Sequence, residues 1–240
     1  MHDYLVMDKT SQKSGKNLSH DFFKSIPLFS DLTTANLNDL AKIAKEKSYP
    51  KNNRIIHEGD PGDALYLIDR GRVKVTLYGE DGKEVILDIL NNGDYFGEMS
   101  LLDGKPRSAN VVTIDNSTFF VIYRDDFTNL IKIDSSISMK LLEHLSLRVR
   151  KTNKKIGNLL LLDLSGRIAN VLIELAGIKH SSSKKEIYIL DMPSQQEFAS
   201  MIGASREAVN RAFKAMEKDG YIKVAGNKII LGEYITSFID

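Results

Sequence analysis

The chain of 240 residues has no cysteine. That excludes a disulfide framework, a thiolate zinc site, a cysteine-ligated iron–sulfur cluster and a cysteine nucleophile. Five histidines are scattered without metal-ligand spacing, so no metal site is assigned. No nucleophile–base pair stands out either, so no catalytic residue is assigned and an enzyme is not expected. An excess of charge of one sign is missing as well: 33 Lys+Arg meet 32 Asp+Glu. Overall charge therefore gives no sign of nucleic acid, and a basic surface would have to arise from local placement. No apolar run approaches the roughly 20 residues that span a bilayer. The first eighteen residues are polar and lack the apolar core of a signal peptide. They read as a flexible tail on a cytoplasmic protein with no membrane partner.

What is present is length enough for two domains and a clear change of texture along the chain. From His20 to Glu46 the signals are helical: Phe22, Phe23, Ile26, Leu28 and Phe29 cluster around Pro27, and Leu37, Leu40, Ile43 and Ala44 recur at helical spacing. From Tyr49 to Tyr123 short apolar runs alternate with turn clusters such as Glu58-Gly59-Asp60-Pro61-Gly62-Asp63 and Gly79-Glu80-Asp81-Gly82. Val73, Val75 and Leu77 alternate with Lys74 and Thr76, the pattern of a half-buried antiparallel strand. Strands at this spacing predict a small barrel or sandwich.

Within that region lies Gly93-Asp94-Tyr95-Phe96-Gly97-Glu98-Met99-Ser100-Leu101-Leu102-Asp103-Gly104-Lys105-Pro106-Arg107-Ser108-Ala109. Glycines permit close backbone approach, and successive N–H groups at such a turn make a concavity for an anion. Arg107 adds a cationic fork suited to phosphate, and Ser108 a neutral donor. Glu98 would repel a phosphate but suits a sugar hydroxyl. The stretch therefore reads as a pocket for a ribose joined to a phosphate; the bland alternative is a tight glycine-rich hairpin with a surface arginine.

After Asp126 the pattern is helical again. Leu142, Leu145, Val149, Thr152, Ile156 and Leu159 are spaced 3, 4, 3, 4, 3, a seam for another helix. It would pack against this chain's own barrel or, with charged flanks at Arg148, Arg150, Lys151, Lys154 and Lys155, against a parallel second copy. A second helix is expected from Ser165-Gly166-Arg167 to about Ala176, a loop over Lys179–Glu186 and a strand at Ile187–Leu190. Ser194-Gln195-Gln196-Glu197 is a capping box, followed by Phe198, Ala199 and Ile202 on one face and a stop at Gly203. Ser205 then caps a helix over Arg206–Lys218 with Val209, Phe213 and Met216 inward. This is the frame of a helix-turn-helix. Arg206, Glu207, Asn210 and Arg211 lie at or near the outer face of the second helix, close to its start, where a recognition helix meets base edges. A hairpin around Gly226-Asn227 would complete a winged helix. From Leu164 onward ten Lys+Arg face nine Asp+Glu, so DNA binding would rest on placement and weaken with salt.

On these residues the sequence resembles the cyclic-AMP receptor / FNR family of bacterial transcription regulators, from about Phe22 to the end. The motifs are Phe96-Gly97-Glu98 with Pro106-Arg107-Ser108-Ala109, Ile156-Gly157-Asn158-Leu159 with Leu162-Asp163-Leu164-Ser165-Gly166-Arg167-Ile168-Ala169, and Gly203-Ala204-Ser205-Arg206-Glu207-Ala208-Val209-Asn210-Arg211. A member of this family, the catabolite activator protein, is itself a standard example of helix-turn-helix docking. The resemblance implies an α+β fold: a tail (1–18), a cyclic-nucleotide-binding β-roll of jelly-roll type (19–136), a dimerisation helix (137–163) and a winged helix-turn-helix (164–240). It implies that Gly97, Ser108 and Arg107 meet a cyclic phosphate, that Glu98 holds the ribose 2′-hydroxyl, and that Met99 and Ala109 belong to the same ligand-contacting set. Val75 and Leu87 would line the base pocket. Thr152 would meet the adenine amine and Asn153 would contribute from the opposite subunit. The family's cyclic-AMP receptors usually carry serine at the position of Asn153, which leaves the base open. Arg206, Glu207 and Arg211 would read a TGTGA-like half-site, with Ser165, Ser194 and Ser205 at backbone phosphates.

The implied function is a homodimeric DNA-binding regulator responding to cyclic AMP and touching RNA polymerase. The nucleotide is a regulatory ligand, with no cofactor. Ligand contact would reorient two recognition helices to about 34 Å apart. Alternatives of the same architecture sense another ligand, such as cyclic di-GMP, or none. A sensory subunit of a kinase or channel is disfavoured by the helix-turn-helix and by the absence of a kinase signature or membrane span. The missing cysteines argue against the family's iron–sulfur branch, and His57 alone reads as a strand-end surface residue, not a haem ligand.

Overall fold

The computed structural model describes residues 16–177, 187–189, 192–226, 228–232 and 234–235. The expected loop over Lys179–Glu186, together with Leu190 and Asn227, lies outside them. The chain divides into two compact units. One is built on residues up to Leu77 with Leu87–Leu147, the other on Tyr78–Ile86 with the chain from Arg148 onward.

The first unit is a β-roll with helices on one side. Its strands are β1 (Lys45–Tyr49), β2 (Arg54–Ile56), β3 (Ala64–Arg70), β4 (Val73–Tyr78), β5 (Glu84–Leu90), β6 (Tyr95–Phe96), β7 (Asn110–Thr113) and β8 (Ser117–Tyr123), with Tyr78 of β4 and Glu84–Ile86 of β5 grouping with the other unit. They form two four-stranded sheets, ordered β1-β8-β3-β6 and β2-β7-β4-β5. Leu65 pairs with Ile122 and Ile68 with Phe119 across the antiparallel β3–β8 contact. Both strands are apolar almost throughout because both of their faces are covered. Leu65, Leu67 and Ile122 join a core with Phe23, Phe29, Leu37, Leu40, Phe127 and Ile137 from the helices. On the opposite face Ala64, Ile68, Phe119 and Val121 pack with Phe96, Val111 and Ile56. Strict alternation is the mark of a sheet with one wet face, and these two strands have none.

The helices of this unit are α1 (Lys16–Ser25), α2 (Thr34–Ile43), α3 (Glu98–Asp103), α4 (Arg124–Ile133) and the start of α5 (Ser136–Leu161). Two local readings differ from expectation. Helix α1 begins at Lys16, inside the stretch read as a tail; residues 1–15 lie outside the described region. In β4, Thr76 is fully buried beside Val73, whereas Val75 and Leu77 are only partly covered. Thr76 pairs with the buried Asn110 of β7, whose amide donates to the Thr76 carbonyl at 3.4 Å. A polar cross-strand pair is thus buried at a position that alternation leaves to solvent.

The second unit contains α6 (Leu164–Leu175), α7 (Gln195–Ile202), α8 (Arg206–Lys218) and a three-stranded sheet ordered β10-β11-β9. The strands are β9 (Ile187–Ile189), β10 (Ile222–Ala225) and β11 (Lys228–Leu231). Ile168, Leu172, Phe198, Ile202, Val209, Met216, Ile222 and Ile229 form its core. Helix α6 starts one residue before the expected Ser165, because Asp163 caps it by accepting from the Gly166 N–H at 2.8 Å. The β10–β11 hairpin pairs Ile222 with Leu231, and Gly226 holds its turn at φ 64°.

Candidate functional sites

The Gly93–Ala109 stretch folds as β6, a left-handed residue, a single short helix and a return loop. Gly97 at φ 88° turns the chain from β6 into α3. A side chain there would meet the Ala64 carbonyl and Arg107 Nη1, each at 2.7 Å. That is why glycine stands at this point: the backbone is left-handed, and the space is taken by the arginine. Arg107 donates from Nη1 to the Gly97 carbonyl at 2.8 Å and from Nη2 to the Ala64 carbonyl at 2.9 Å. Its main chain is fixed as well: Arg107 N donates to Asp60 O and Gly59 N to Arg107 O, both at 2.9 Å.

Glu98 is 1 % exposed and Arg107 7 %. A buried acid and a buried base nine residues apart are thus brought to either side of one glycine. Burial holds the Arg107 guanidinium below its usual pKa; Tyr66, Asp63 and Glu98 work the other way, and neighbouring Arg124 adds to the lowering. An arginine stays charged nonetheless. Only two of its five N–H donors are committed to these carbonyls, so an anion brought alongside gains hydrogen bonds and offsets the charge's lost solvation. Burial likewise pushes the Tyr66 phenol up.

Of the other expected ligand contacts, Ser108 is exposed and its Oγ lies 3.6 Å from Met99 Sδ. Met99 is 48 % exposed, Ala109 is buried, and Leu87 on β5 is 39 % exposed. Val75 is partly buried against the core between the sheets. Thr152 and Asn153 sit exposed on α5, in the other unit.

Two residues of this site do not stand out in the sequence. A side chain at Gly62 would run into Ser100 and Arg107 Nε, the latter at 2.6 Å. Arg124 donates to Leu101 O and Ser100 O at 2.8 Å and to Gly62 O at 2.7 Å. Gly62 is legible only as one glycine in a turn cluster. Arg124 carries a weak signal: a cation in the first turn of a helix opposes the helix dipole, so it calls for a tertiary reason.

In the second unit the expected frame is present. Ser194 and Glu197 make a reciprocal capping box, Gly203 ends α7 in a left-handed conformation, and Ser205 caps α8 by accepting from Ala208 N at 3.2 Å. Arg167 of α6 donates to the Ile202 carbonyl at 3.0 Å and so holds the end of α7. Phe198 and Phe213 meet at 5.3 Å between ring centroids. With Val209 and Met216 buried, Arg206, Glu207 and Arg211 are exposed and Asn210 is partly so. Arg206 Nε reaches Gln195 Oε1 at 3.4 Å. The serines differ chemically. Ser194 donates its hydroxyl to Glu197 Oε2 at 2.7 Å, whereas Ser205 accepts, which leaves its O–H for an outside acceptor. Ser165 is partly exposed in the first turn of α6.

Two family models match the chain: a cyclic nucleotide-binding domain over residues 46–134 and a Crp-like helix-turn-helix domain over residues 166–233. A CRP-like cAMP-activated global transcriptional regulator of Mycobacterium tuberculosis is 31 % identical over 206 residues, covering 86 % of this chain and 92 % of that protein. The cAMP-activated global transcriptional regulator CRP of Salmonella typhimurium is 35 % identical over 184 residues, 76 % of this chain and 87 % of that one. Among solved structures, the c-di-GMP responsive global regulator CLP of Xanthomonas campestris superposes with a TM-score of 0.71 at 24 % identity, over 83 % of this chain and 99 % of that one. That likeness is one of fold.

Proposed function

The chain belongs to the cyclic-AMP receptor / FNR family of cyclic-nucleotide-responsive, DNA-binding transcription regulators, and from that premise we propose that its ligand is cyclic AMP and that it acts as a homodimer on a TGTGA-like palindrome. The observation that carries the ligand reading is the buried Glu98 and Arg107 flanking left-handed Gly97. Arg107 and Ser108 hold the cyclic phosphate against the Gly97 backbone, and Glu98 accepts from the ribose 2′-hydroxyl. Met99 and Ala109 border the sugar and phosphate, and Val75 and Leu87 the base. Thr152 hydrogen-bonds the adenine amine, and Asn153 reaches the ligand bound by the opposite subunit.

Functionally the chain divides into a ligand-binding region (19–136), a dimer helix (137–163) and a DNA-binding region (164–240). The exposed apolar residues of α5 support the dimer. Arg206, Glu207 and Arg211 read bases, with Asn210 beside them. Ser165, Ser194 and Ser205 lie at phosphates; the Ser205 hydroxyl accepts within its cap and is left to donate, whereas that of Ser194 donates to Glu197. The protein works in the cytoplasm, and RNA polymerase is its partner at the promoter.

Calorimetric titration with cyclic AMP, cyclic GMP and cyclic di-GMP tests the ligand, and mobility shift of a TGTGA-type palindrome tests the output. Cyclic AMP is expected to bind most tightly and to be needed for a full shift. Equal shifts with and without it, or tighter binding of cyclic di-GMP, would overturn the reading. Arg206→Ala is expected to cost about 1–3 kcal/mol and to relax choice at one guanine; uniform weakening on all sequences would make Arg206 a phosphate contact.

A further inference from the structure

Two residues proposed to recognise the ligand, Glu98 and Arg107, stand on different pieces of chain. Glu98 is the first residue of α3, whereas Arg107 is fixed through its main chain to the turn after β2. We infer that Arg124 is the positioning residue that locks these two pieces together and so sets how well the pocket recognises a ribose 2′-hydroxyl.

A single guanidinium collects three carbonyls from two segments: Ser100 and Leu101 of α3, and Gly62 of the turn. Arg124 N also donates to Asp63 O at 2.8 Å. The turn continues back through Asp60 and Gly59, which exchange main-chain hydrogen bonds with Arg107. A chain of directional bonds thus runs from α3 through Arg124 to the Gly59–Asp63 turn and on to Arg107. Helix α3 is also held by Leu101, buried in the core beneath it. An apolar contact holds the helix down without fixing its rotation. The planar guanidinium fixes rotation because its N–H groups lie in one rigid fork. Rotation is what matters at Glu98: its carboxylate is buried, and a small turn of a six-residue helix carries it away from any hydroxyl in front of it. Gly62 completes the device, since a side chain there would strike both Ser100 and Arg107.

This inference rests on the reading of Glu98 as the ribose contact, and the test separates the two. Calorimetry compares cyclic AMP with its 2′-deoxy analogue on the full-length wild type, Arg124→Gln and Arg124→Lys, with thermal unfolding of each ligand-free protein alongside. Wild type is expected to prefer cyclic AMP by about tenfold or more, as sites built around a hydroxyl do. In Arg124→Gln the cyclic AMP affinity is expected to drop about tenfold while the 2′-deoxy analogue changes little, so the preference collapses. Arg124→Lys, which keeps the charge and three donors, restores part of it. Equal loss for both nucleotides, or an unchanged preference, overturns the role of Arg124, since a merely structural residue weakens both alike. If Arg124→Gln does not fold, a wild-type preference in Arg124→Lys overturns it equally. A wild type indifferent to the 2′-hydroxyl overturns the reading of Glu98, and that shows before any substitution is made.

Discussion

At the scale of the residue, Arg107 is held by neutral carbonyls in a place where water is scarce. A buried cation with such partners gains most from an anion. Arg107→Ala removes that gain and also leaves the Gly97 and Ala64 carbonyls without their donor, so it should lower stability as well as binding. Cyclic AMP affinity in calorimetry should drop at least about a hundredfold, on the order of 3 kcal/mol for a charge-assisted contact; unchanged affinity would remove the cassette from the ligand's path. A different residue sets an acid limit. The Arg72 guanidinium, donating to Asp115 at 2.7 Å, holds that carboxyl below its usual range. A carboxyl depressed in the folded state stabilises above its unfolded pKa and loses that contribution as pH falls through the folded value. Asp115→Asn should therefore lower the denaturation midpoint slightly at neutral pH and flatten its decline below about pH 4. An unchanged acid slope would show the pair to be inert. The sequence offers Arg107 and Glu98 by type and spacing alone. It hides Gly62 and Arg124, because each is defined by what comes close in space from more than twenty residues away.

At the scale of the element, the apolar stripe of helix α5 is covered only in part. Leu145 packs partly into the first unit's core, while Leu142, Val149, Ile156 and Leu159 are 50–58 % exposed. Packing against this chain's own domain thus accounts for Leu145 and leaves the other four uncovered: a periodicity marks an apolar face but not what covers it. The exposed members are the ones a second copy would cover. Val149→Glu with Ile156→Glu should leave the monomer's fold intact, since neither residue is buried, yet place like charges in the proposed seam at a cost of several kcal/mol. Light scattering should find wild type dimeric and this variant monomeric; a dimeric variant would put the interface elsewhere. The helix-turn-helix was legible almost to the residue, because caps are local chemistry: Ser194, Glu197, Gly203 and Ser205 act on backbone within four positions. Ser194→Ala loses the hydroxyl's half of the box, keeping the main-chain N–H bond to Glu197, and should cost about 1 kcal/mol in denaturant unfolding; no measurable loss would make the hydroxyl ornamental. The start of α6 was less legible, since Asp163 and Ser165 both suit a cap and only the made bond distinguishes them.

At the scale of the whole molecule, a ligand region and a DNA region are of use to each other only if binding at one alters affinity at the other. No geometry between the two units is required to test this, because coupling is a free energy and is reciprocal. If cyclic AMP tightens the palindrome by some factor, the palindrome must tighten cyclic AMP by the same factor. A coupling of about 1–3 kcal/mol corresponds to a factor of roughly 5–150. Mobility shifts with and without saturating nucleotide give one arm. Calorimetry of cyclic AMP with and without saturating palindrome gives the other, with an unrelated duplex of equal length as the control. The factors should agree, and the control duplex should give a smaller one that fades with salt as phosphate contacts do. Asn153 sharpens the case. It carries both a donor and an acceptor, so Asn153→Ser should change the size of the coupling for cyclic AMP and cyclic GMP differently, while Arg107→Ala should lower affinity for both. A factor near one in both arms in wild type would mean that nucleotide and DNA bind independently, and the proposed switch would fall, whatever each site binds on its own.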